Sequence, residues 1–367
     1  MPQHSSLTKC GLPVLAIISL AAGLSALTLG CTSRGGYYLT RPQAHAPSDA
    51  IVAATPAPPR SLAMFEGDTG RVATWADLME GVDWAEVVFI GETHDHRAAH
   101  LLQQAVVEDA LASFPGTAVS FEMLERNEQS IVDTYLAGTI DLATFIEQTK
   151  SANWAGKPAD GTPLGRGTWE DFYQPMIDAA KVRSAPVIAA NAPREYVRQA
   201  RTDGFDALRA LPDDEQALFD IPYRLESGAY RERFEAVMTA EDQDPRDPEH
   251  RARVDRTYRA QQVWDATMAQ SIAAALERDV GPQVTKVVHV IGGFHIDRRG
   301  GTVTQLLQAR PRTRVLTIQV VPVDSRVLRQ EDHGRADLVV YAAHERDARP
   351  AEAPEVPNPP VSSAESP

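Results

Sequence analysis

The sequence has 367 residues, of which 43% are hydrophobic and 23% charged, and this length allows one large globular domain or two small ones. The formal net charge of −14 argues against nucleic acids and other polyanions as partners, because they require a basic surface. Both cysteines, Cys10 and Cys31, lie near the amino terminus. A domain that follows them has no thiol for a disulfide, thiolate catalysis, a Cys-ligated zinc or iron–sulfur centre, or covalent haem attachment.

The amino terminus has the pattern of an export signal. Residues 11–30 carry no charge, are rich in Leu, Ala and Ile, and end in small residues. Cys31 directly after Gly30 resembles the lipobox of bacterial lipoproteins, with Thr28 where Leu is usual. We predict a signal peptide over residues 1–30 and lipidation of Cys31, the alternative being an uncleaved membrane anchor. By resemblance to the sorting rule, the next residues favour an outer-membrane lipoprotein of the cell envelope that faces the periplasm.

Three segments follow the signal. Residues 31–60 are rich in Pro, Ala and polar groups, which predicts a flexible tether. Residues 61–344 alternate short apolar runs with amphipathic stretches and are predicted to form one domain. Residues 345–367 contain six prolines and few large apolar residues, which predicts a disordered tail.

The alternation within residues 61–344 predicts an α/β fold. Uniformly apolar strands are typical of a parallel sheet that is buried on both faces. We therefore expect a mainly parallel sheet covered by helices on both faces, with a helical insertion over residues 203–250. The predicted strands are 87–90, 117–121, 186–190, 286–291, 314–321 and 338–341, and the predicted helices include 97–111, 126–137, 169–183 and 250–278.

Polar residues stand directly after four of the predicted strands. In open parallel sheets the carboxyl ends of the strands line the ligand crevice, so these residues are expected to meet at one edge. Asp265 stands in an apolar helix, where it either closes the site or pairs with an arginine. The strand-end candidates are Glu92, His94, Glu122, Asn191, Arg194 and His295.

Some of these polar residues have structural alternatives. Thr93 or Asp95 is placed to cap the following helix. Glu122 is a candidate partner for Arg194 in an ion pair. His96 and His100 stand four residues apart on a helix, which suits a metal pair, but we expect both to be exposed on the surface.

Several motifs in order resemble the ChaN-like lipoproteins. They are two Gly-x-x-His elements, 91–94 and 292–295, together with the segments 121–123, 191–194 and 264–269. The resemblance spans roughly residues 60–325 and places the chain in a superfamily with TIKI metalloproteases, TraB proteins and erythromycin esterases. It implies a haem-binding protein of iron uptake whose dimers sandwich haem. The resemblance to the TIKI-like members of the superfamily implies an alternative, metal-dependent hydrolysis by the same histidines and a glutamate.

The haem hypothesis needs an iron ligand other than cysteine. A tyrosinate or an imidazole serves in haem proteins, and we favour Tyr173 as the axial ligand. The candidate haem-binding residues are His94, His295, Tyr173, Asn191, Arg194 and Asp265.

The hydrolase hypothesis uses the same sheet edge. His94, His295 and Glu122 would bind Mn, Co or Zn, with Glu92 or Glu122 as a further ligand or as the general base. Without a metal, a His–Glu pair would activate water by acid–base catalysis. The sequence has no Gly-x-Ser-x-Gly element, which argues against a serine hydrolase. A third hypothesis is a tethered protein that binds a small-molecule ligand or a partner without catalysis.

Overall fold

The computed structural model describes residues 58–155, 167–239, 244–278 and 283–344. The predicted signal peptide, Cys31, nearly all of the tether and the proline-rich tail lie outside these residues.

One sheet organises the described residues. Its strands are β1 (Ala63–Glu66), β2 (Val72–Ala73), β3 (Val87–Glu92), β4 (Thr117–Glu125), β5 (Val187–Asn191), β6 (Lys286–Gly292), β7 (Val315–Val321) and β8 (Leu338–Tyr341). Their spatial order is β2-β1-β8-β7-β3-β6-β4-β5. Strands β3 to β8 pair in parallel, whereas β1 and β2 form an antiparallel edge. The predicted mainly parallel sheet is therefore confirmed.

Helices connect most of the strands. Within the described residues they are α1 (Trp75–Trp84), α2 (Arg97–Ser113), α3 (Gln129–Leu136), α4 (Leu142–Thr149), α5 (Trp169–Phe172), α6 (Gln174–Val182), α7 (Arg194–Thr202), α8 (Phe205–Arg209), α9 (Asp213–Gln216), α10 (Ala229–Met238), α11 (Pro248–Glu277) and α12 (Thr302–Ala309). Helices α8, α9 and α10 form the predicted helical insertion. None of the helices in the described ranges has the length and apolar character needed to cross a membrane.

The two faces of the sheet bury separate apolar layers. Val88 and Ile90 of β3 pack in the layer that includes residues of α1, α2 and α6, while Val87 and Phe89 pack in the layer that includes residues of α11 and α12. This division follows because successive side chains of a strand point to opposite faces. All six residues of β3 are buried, as expected for a strand covered on both sides.

The observed elements differ from the prediction in a few places. The short strands β1 and β2 and the helices α1, α4, α7 and α12 were not predicted. The helix predicted over 169–183 is divided into α5 and α6 at Tyr173. Pro175 stands in the first turn of α6, and because proline lacks an N–H it suits the start of a helix and not its interior.

Candidate functional site

Three neighbouring parallel strands bring the candidate residues together. Strand β6 lies between β3 and β4, and Glu92 at the end of β3 is in register with Gly292 at the end of β6. His94 follows β3 after one intervening residue, and His295 ends the 3-10 turn Gly293–His295 that follows β6. Residues far apart in the sequence therefore meet at the carboxyl edge of the sheet.

Glu122 reaches the same edge from inside β4, not from the loop after it as predicted. Strand β4 continues to Glu125, and its register against β5 shifts between Phe121 and Glu125. Such an irregularity bends a strand and re-aims its side chains. Glu122 is 5% exposed, and its Oε2 accepts a hydrogen bond of 2.5 Å from the backbone N–H of Gly292.

Glu92 and His94 form the first of two histidine–carboxylate pairs. The buried Oε1 of Glu92 accepts hydrogen bonds from His94 Nδ1 at 2.8 Å and from the Tyr173 hydroxyl at 2.6 Å. Its Oε2 accepts one from Gln103 Nε2 at 2.7 Å. Burial alone would raise the pKa of Glu92, but the imidazoles of His100 and His94 and these hydrogen bonds lower the pKa to about 2.

The pKa of His94 is shifted in the opposite direction, upward. Loss of water around the ring opposes its charge, but the ring is 41% exposed, so this opposition is limited. The hydrogen bond to Glu92 and the charges of Glu122 and Glu92 raise the pKa of His94 to about 9. His94 is therefore an imidazolium at neutral pH.

His295 and Asp265 form the second pair. Asp265 is fully buried, and its Oδ1 accepts hydrogen bonds from His295 Nδ1 at 2.6 Å and from the Thr302 hydroxyl at 2.9 Å. Its Oδ2 accepts from the Tyr230 hydroxyl at 2.8 Å and from Gln262 Nε2 at 3.0 Å. Of the two roles predicted for Asp265, the structure shows it holding a site histidine, not pairing with an arginine.

Asp265 also shifts the pKa of His295. Burial lowers the pKa of the ring, but the charges of Asp265 and Glu122 and the hydrogen bond from Nδ1 outweigh it, so the pKa lies above its usual value.

The Glu122 carboxylate lies beside both histidines. Its Oε1 is 3.6 Å from His295 Nε2. A Cβ added to Gly292 would lie 3.3 Å from both Glu122 Oε2 and His94 Nε2, which shows that these two atoms flank the same Cα. Glycine at this position keeps the space that both side chains occupy. Chemically, two proton donors adjoin one proton acceptor.

Asn191 and Arg194 flank this centre. Asn191 Nδ2 donates to the backbone oxygen of Glu122 at 2.9 Å, so it supports the irregular part of β4. The ion pair predicted between Glu122 and Arg194 is wrong, because Arg194 Nε lies 3.6 Å from Glu125 Oε1 instead. The Arg194 guanidinium stacks on Trp154, 4.8 Å from the ring centre.

Three further residues are not where the sequence suggested. Tyr173 is fully buried, donates to Glu92, and has a pKa that burial and the Glu92 charge raise well above its usual value. This environment argues against Tyr173 as an axial haem ligand. His96 and His100 were expected to be exposed, but they are 0% and 1% exposed. His100 stacks on Phe172 at 4.0 Å, and burial lowers its pKa.

The residues predicted to bind a metal, His94, His295 and Glu122, are not arranged as a metal site. In the part of the chain that the structure describes, no group of three or more His, Cys, Asp or Glu side chains is placed to hold a metal ion. His94, His295 and Glu122 can instead act together as a proton-transfer set.

Sequence reasoning missed several residues around the site. Gln103 donates a hydrogen bond to Glu92, and Tyr230 donates one to Asp265. For Gln103 a signal was available, because it stands three positions after His100 and therefore shares a helix face with it. Outside this centre, Tyr223 of the insertion was also not singled out, and its side chain is 97% exposed. Its signal was an aromatic residue directly after Pro222 in a non-helical stretch of the insertion.

Comparisons with known proteins identify the family of the chain. ChaN of Campylobacter jejuni, in a structure of cofacial haem binding, superposes with a TM-score of 0.55 at 18% identity and covers 77% of this chain and 96% of its own. An erythromycin esterase in its open conformation gives a TM-score of 0.38 at 12% identity, covering 77% of this chain and 83% of its own. No curated protein matches with significant sequence similarity. The family model described as "Haem-binding uptake, Tiki superfamily, ChaN" matches residues 78–306, and the chain belongs to that family.

Proposed function

We propose that this protein binds haem and takes part in haem or iron uptake as a lipoprotein of the cell envelope. Family membership supports the ligand class. The observation that carries the proposal for this chain is the exposed Tyr223. The lipid anchor is proposed from Gly30 and Cys31 in the sequence, with the outer membrane, facing the periplasm, as the proposed location.

Tyr223 has the chemistry and the position of a haem ligand. Haem iron in proteins takes tyrosinate as an axial ligand. Among the tyrosines in the described ranges, Tyr223 is 97% exposed, whereas the others are at most 7% exposed. Leu225, two residues later, is 39% exposed. An aromatic and an aliphatic side chain exposed two residues apart offer apolar contacts to the flat face of a porphyrin.

The loop that carries Tyr223 is fixed on both sides to α11. The backbone N–H of Asp220 donates to Thr267 Oγ1 at 2.8 Å, and that of Glu226 donates to Gln262 Oε1 at 2.7 Å. The same stretch of α11 supplies the carboxylate of the second histidine pair. A ligand on this loop would therefore be held against a rigid helix of the site.

The described residues thus fit haem. Tyr223 would hold the iron through its phenol oxygen, and Leu225 would contact the porphyrin face. Bound haem would supply the iron centre as cargo for uptake. Because one side of a haem on an open loop would stay uncovered, we propose a second copy of the chain as its cover, giving a homodimer.

Titration with haemin tests the proposal. The wild-type protein should develop a saturable Soret band, and Tyr223→Phe should weaken haemin binding by about tenfold or more and shift the band. Tyr341→Phe is the matched control, because it removes a buried phenol on strand β8 that donates to Asp332. Unchanged affinity and spectrum in Tyr223→Phe would contradict this assignment.

The two histidine–carboxylate pairs support a second candidate function, metal-free acid–base hydrolysis. An imidazolium held by a carboxylate donates a proton well, and a nearby carboxylate accepts one. His94, with its pKa raised to about 9, would protonate the leaving oxygen, while Glu122 would take a proton from the attacking water. His295 would stabilise the developing charge beside Glu122.

Hydrolysis of a panel of nitrophenyl esters tests this candidate. Glu122→Gln and His94→Asn should each lower the rate by about 10²-fold or more. Glu108→Gln is the control, since Glu108 lies on α2 and accepts from Gln104. Haemin titration of the same variants separates the functions, and rates that all three variants share with the wild type would reject hydrolysis at this site.

A further inference from the structure

Arg194 and Trp154 form a stacked pair at the rim of the site. Arg194 is the first residue of α7, and Trp154 lies in the 3-10 turn Ser151–Ala155. The guanidinium carbon is 4.8 Å from the centre of the Trp154 ring. That ring meets the His94 ring edge-on, with 5.4 Å between the centroids. The pair therefore leads from the surface to the partly exposed imidazolium.

The guanidinium of Arg194 is held in place while part of its set of hydrogen-bond donors stays unused. Its side chain is 54% exposed, and its carboxylate contact, Glu125, lies 3.6 Å from Nε. Among the described residues, its two terminal nitrogens make no hydrogen bond. Arg126, also next to the site, differs because its guanidinium donates to Asp220, to Ser271 and to backbone oxygens. Arg194 thus keeps a donor fork available for a ligand.

A planar donor fork selects a planar acceptor. Guanidinium binds carboxylate through two parallel hydrogen bonds, and stacking on an indole fixes the plane of the fork before the ligand arrives. The cationic His94, which also contacts Trp154, adds attraction for an anion. Haem carries two propionate carboxylates on one edge of an otherwise apolar disc.

We propose that Arg194, held over the Trp154 ring, binds a propionate carboxylate of haem. This inference rests on the proposed haem function and adds the group that orients the porphyrin edge. Iron ligation by Tyr223 and propionate binding by Arg194 are separate contacts, so each is removed by its own substitution.

Haemin and its dimethyl ester form the probe pair, because esterification neutralises both propionates. With both titrated in the same mild detergent, wild-type protein should bind haemin about tenfold more tightly than the ester. Arg194→Ala should weaken haemin binding by about tenfold and leave ester binding unchanged. Arg194→Lys keeps the charge without the fork and should retain part of the preference. Arg198→Ala, an exposed arginine one turn later on α7, should behave as wild type.

The remaining outcomes of these titrations would overturn the propionate contact alone or both proposals. Equal wild-type affinity for haemin and the ester, or a full preference retained in Arg194→Ala, overturns the propionate contact and leaves the haem function standing. Wild-type protein that binds neither porphyrin overturns both proposals. Melting temperatures of the variants within about 2 °C of wild type exclude unfolding as the cause of a change in affinity.

Discussion

Replacing Glu92 by Gln removes one charge from the centre of the site while it preserves the shape of the side chain. The carboxylate accepts hydrogen bonds from Tyr173, His94 and Gln103. An amide offers one oxygen and one NH₂ group, so at least one of these donors would face another donor. Because Glu92 is buried, bulk water does not replace the lost acceptor.

The pKa of Glu92 sets the magnitude. A fall from 4.5 to about 2 corresponds to roughly 3 kcal/mol of stability in the ionised state, at about 1.4 kcal/mol per pKa unit. We expect Glu92→Gln to lower the free energy of unfolding by about 2–4 kcal/mol. His94 loses its hydrogen-bonded carboxylate, so its pKa should fall from about 9 toward the ordinary value.

The contributions of Glu92 and His94 to the free energy of unfolding depend on pH in opposite directions. Glu92 has a lower pKa when folded, so its contribution is present above about pH 4.5 and is lost as the pH falls toward 2. His94 has a higher pKa when folded, so its contribution is present below about pH 6.5 and is lost as the pH rises through about 9. The difference between wild type and Glu92→Gln should be largest between these limits and shrink in acid and in base.

Urea unfolding followed by tryptophan fluorescence measures the free energy, and NMR titration measures the pKa of His94. Glu249→Gln is the matched control, since it removes one exposed carboxylate from α11. The reasoning would be refuted by a Glu92→Gln protein within about 0.5 kcal/mol of wild type near pH 6 with the pKa of His94 unchanged.

Four other changes have defined outcomes. Gly292→Ala places a methyl group 3.3 Å from Glu122 Oε2 and should lower the melting temperature by several degrees, corresponding to about 1 kcal/mol; a gain in stability would contradict the tight contact. Tyr173→Phe should leave the haemin Soret band unchanged, because the phenol is buried; a shifted band would restore Tyr173 as a ligand candidate. Cys31→Ser should abolish incorporation of labelled palmitate, and retained label would mean that another group is acylated. Deletion of residues 346–367 should move the melting temperature by less than about 2 °C, and a larger loss would show that the tail packs on the domain.

The sequence was sufficient to predict the centre of the sheet because strands covered on both faces are continuous apolar runs. The run 87–90 became β3 for this reason, and all its residues are buried. The antiparallel edge was not predictable in the same way. Strand β2 has two residues, one of them the exposed Val72, and β1 pairs with β8, which lies far away in the sequence. Short edge strands of this kind depend on long-range contacts and have little signal of their own.

The histidines and carboxylates could be assigned to one site, but which carboxylate holds which histidine could not. Strand topology brings His94 and His295 together whatever surrounds them. The partner of His295 is Asp265, whose direction depends on how α11 is rotated against the sheet. The rotation of a helix against the sheet also explains why His100 was wrongly expected to be exposed. Its face of α2 turns inward, and the ring packs beside Glu92.

Tyr173 and Tyr223 show why burial, and not residue type, separates the possible haem ligands. The Tyr173 hydroxyl donates to a buried carboxylate, so giving up its proton would leave two buried anions in contact. The oxygen of Tyr223 faces water, and a metal bound there would displace no internal hydrogen bond that the structure describes. A ligand on Tyr223 therefore leaves the Glu92 network intact. The two proposed functions, haem binding at the loop and proton transfer at the sheet edge, therefore rest on different side chains, and different substitutions should remove them.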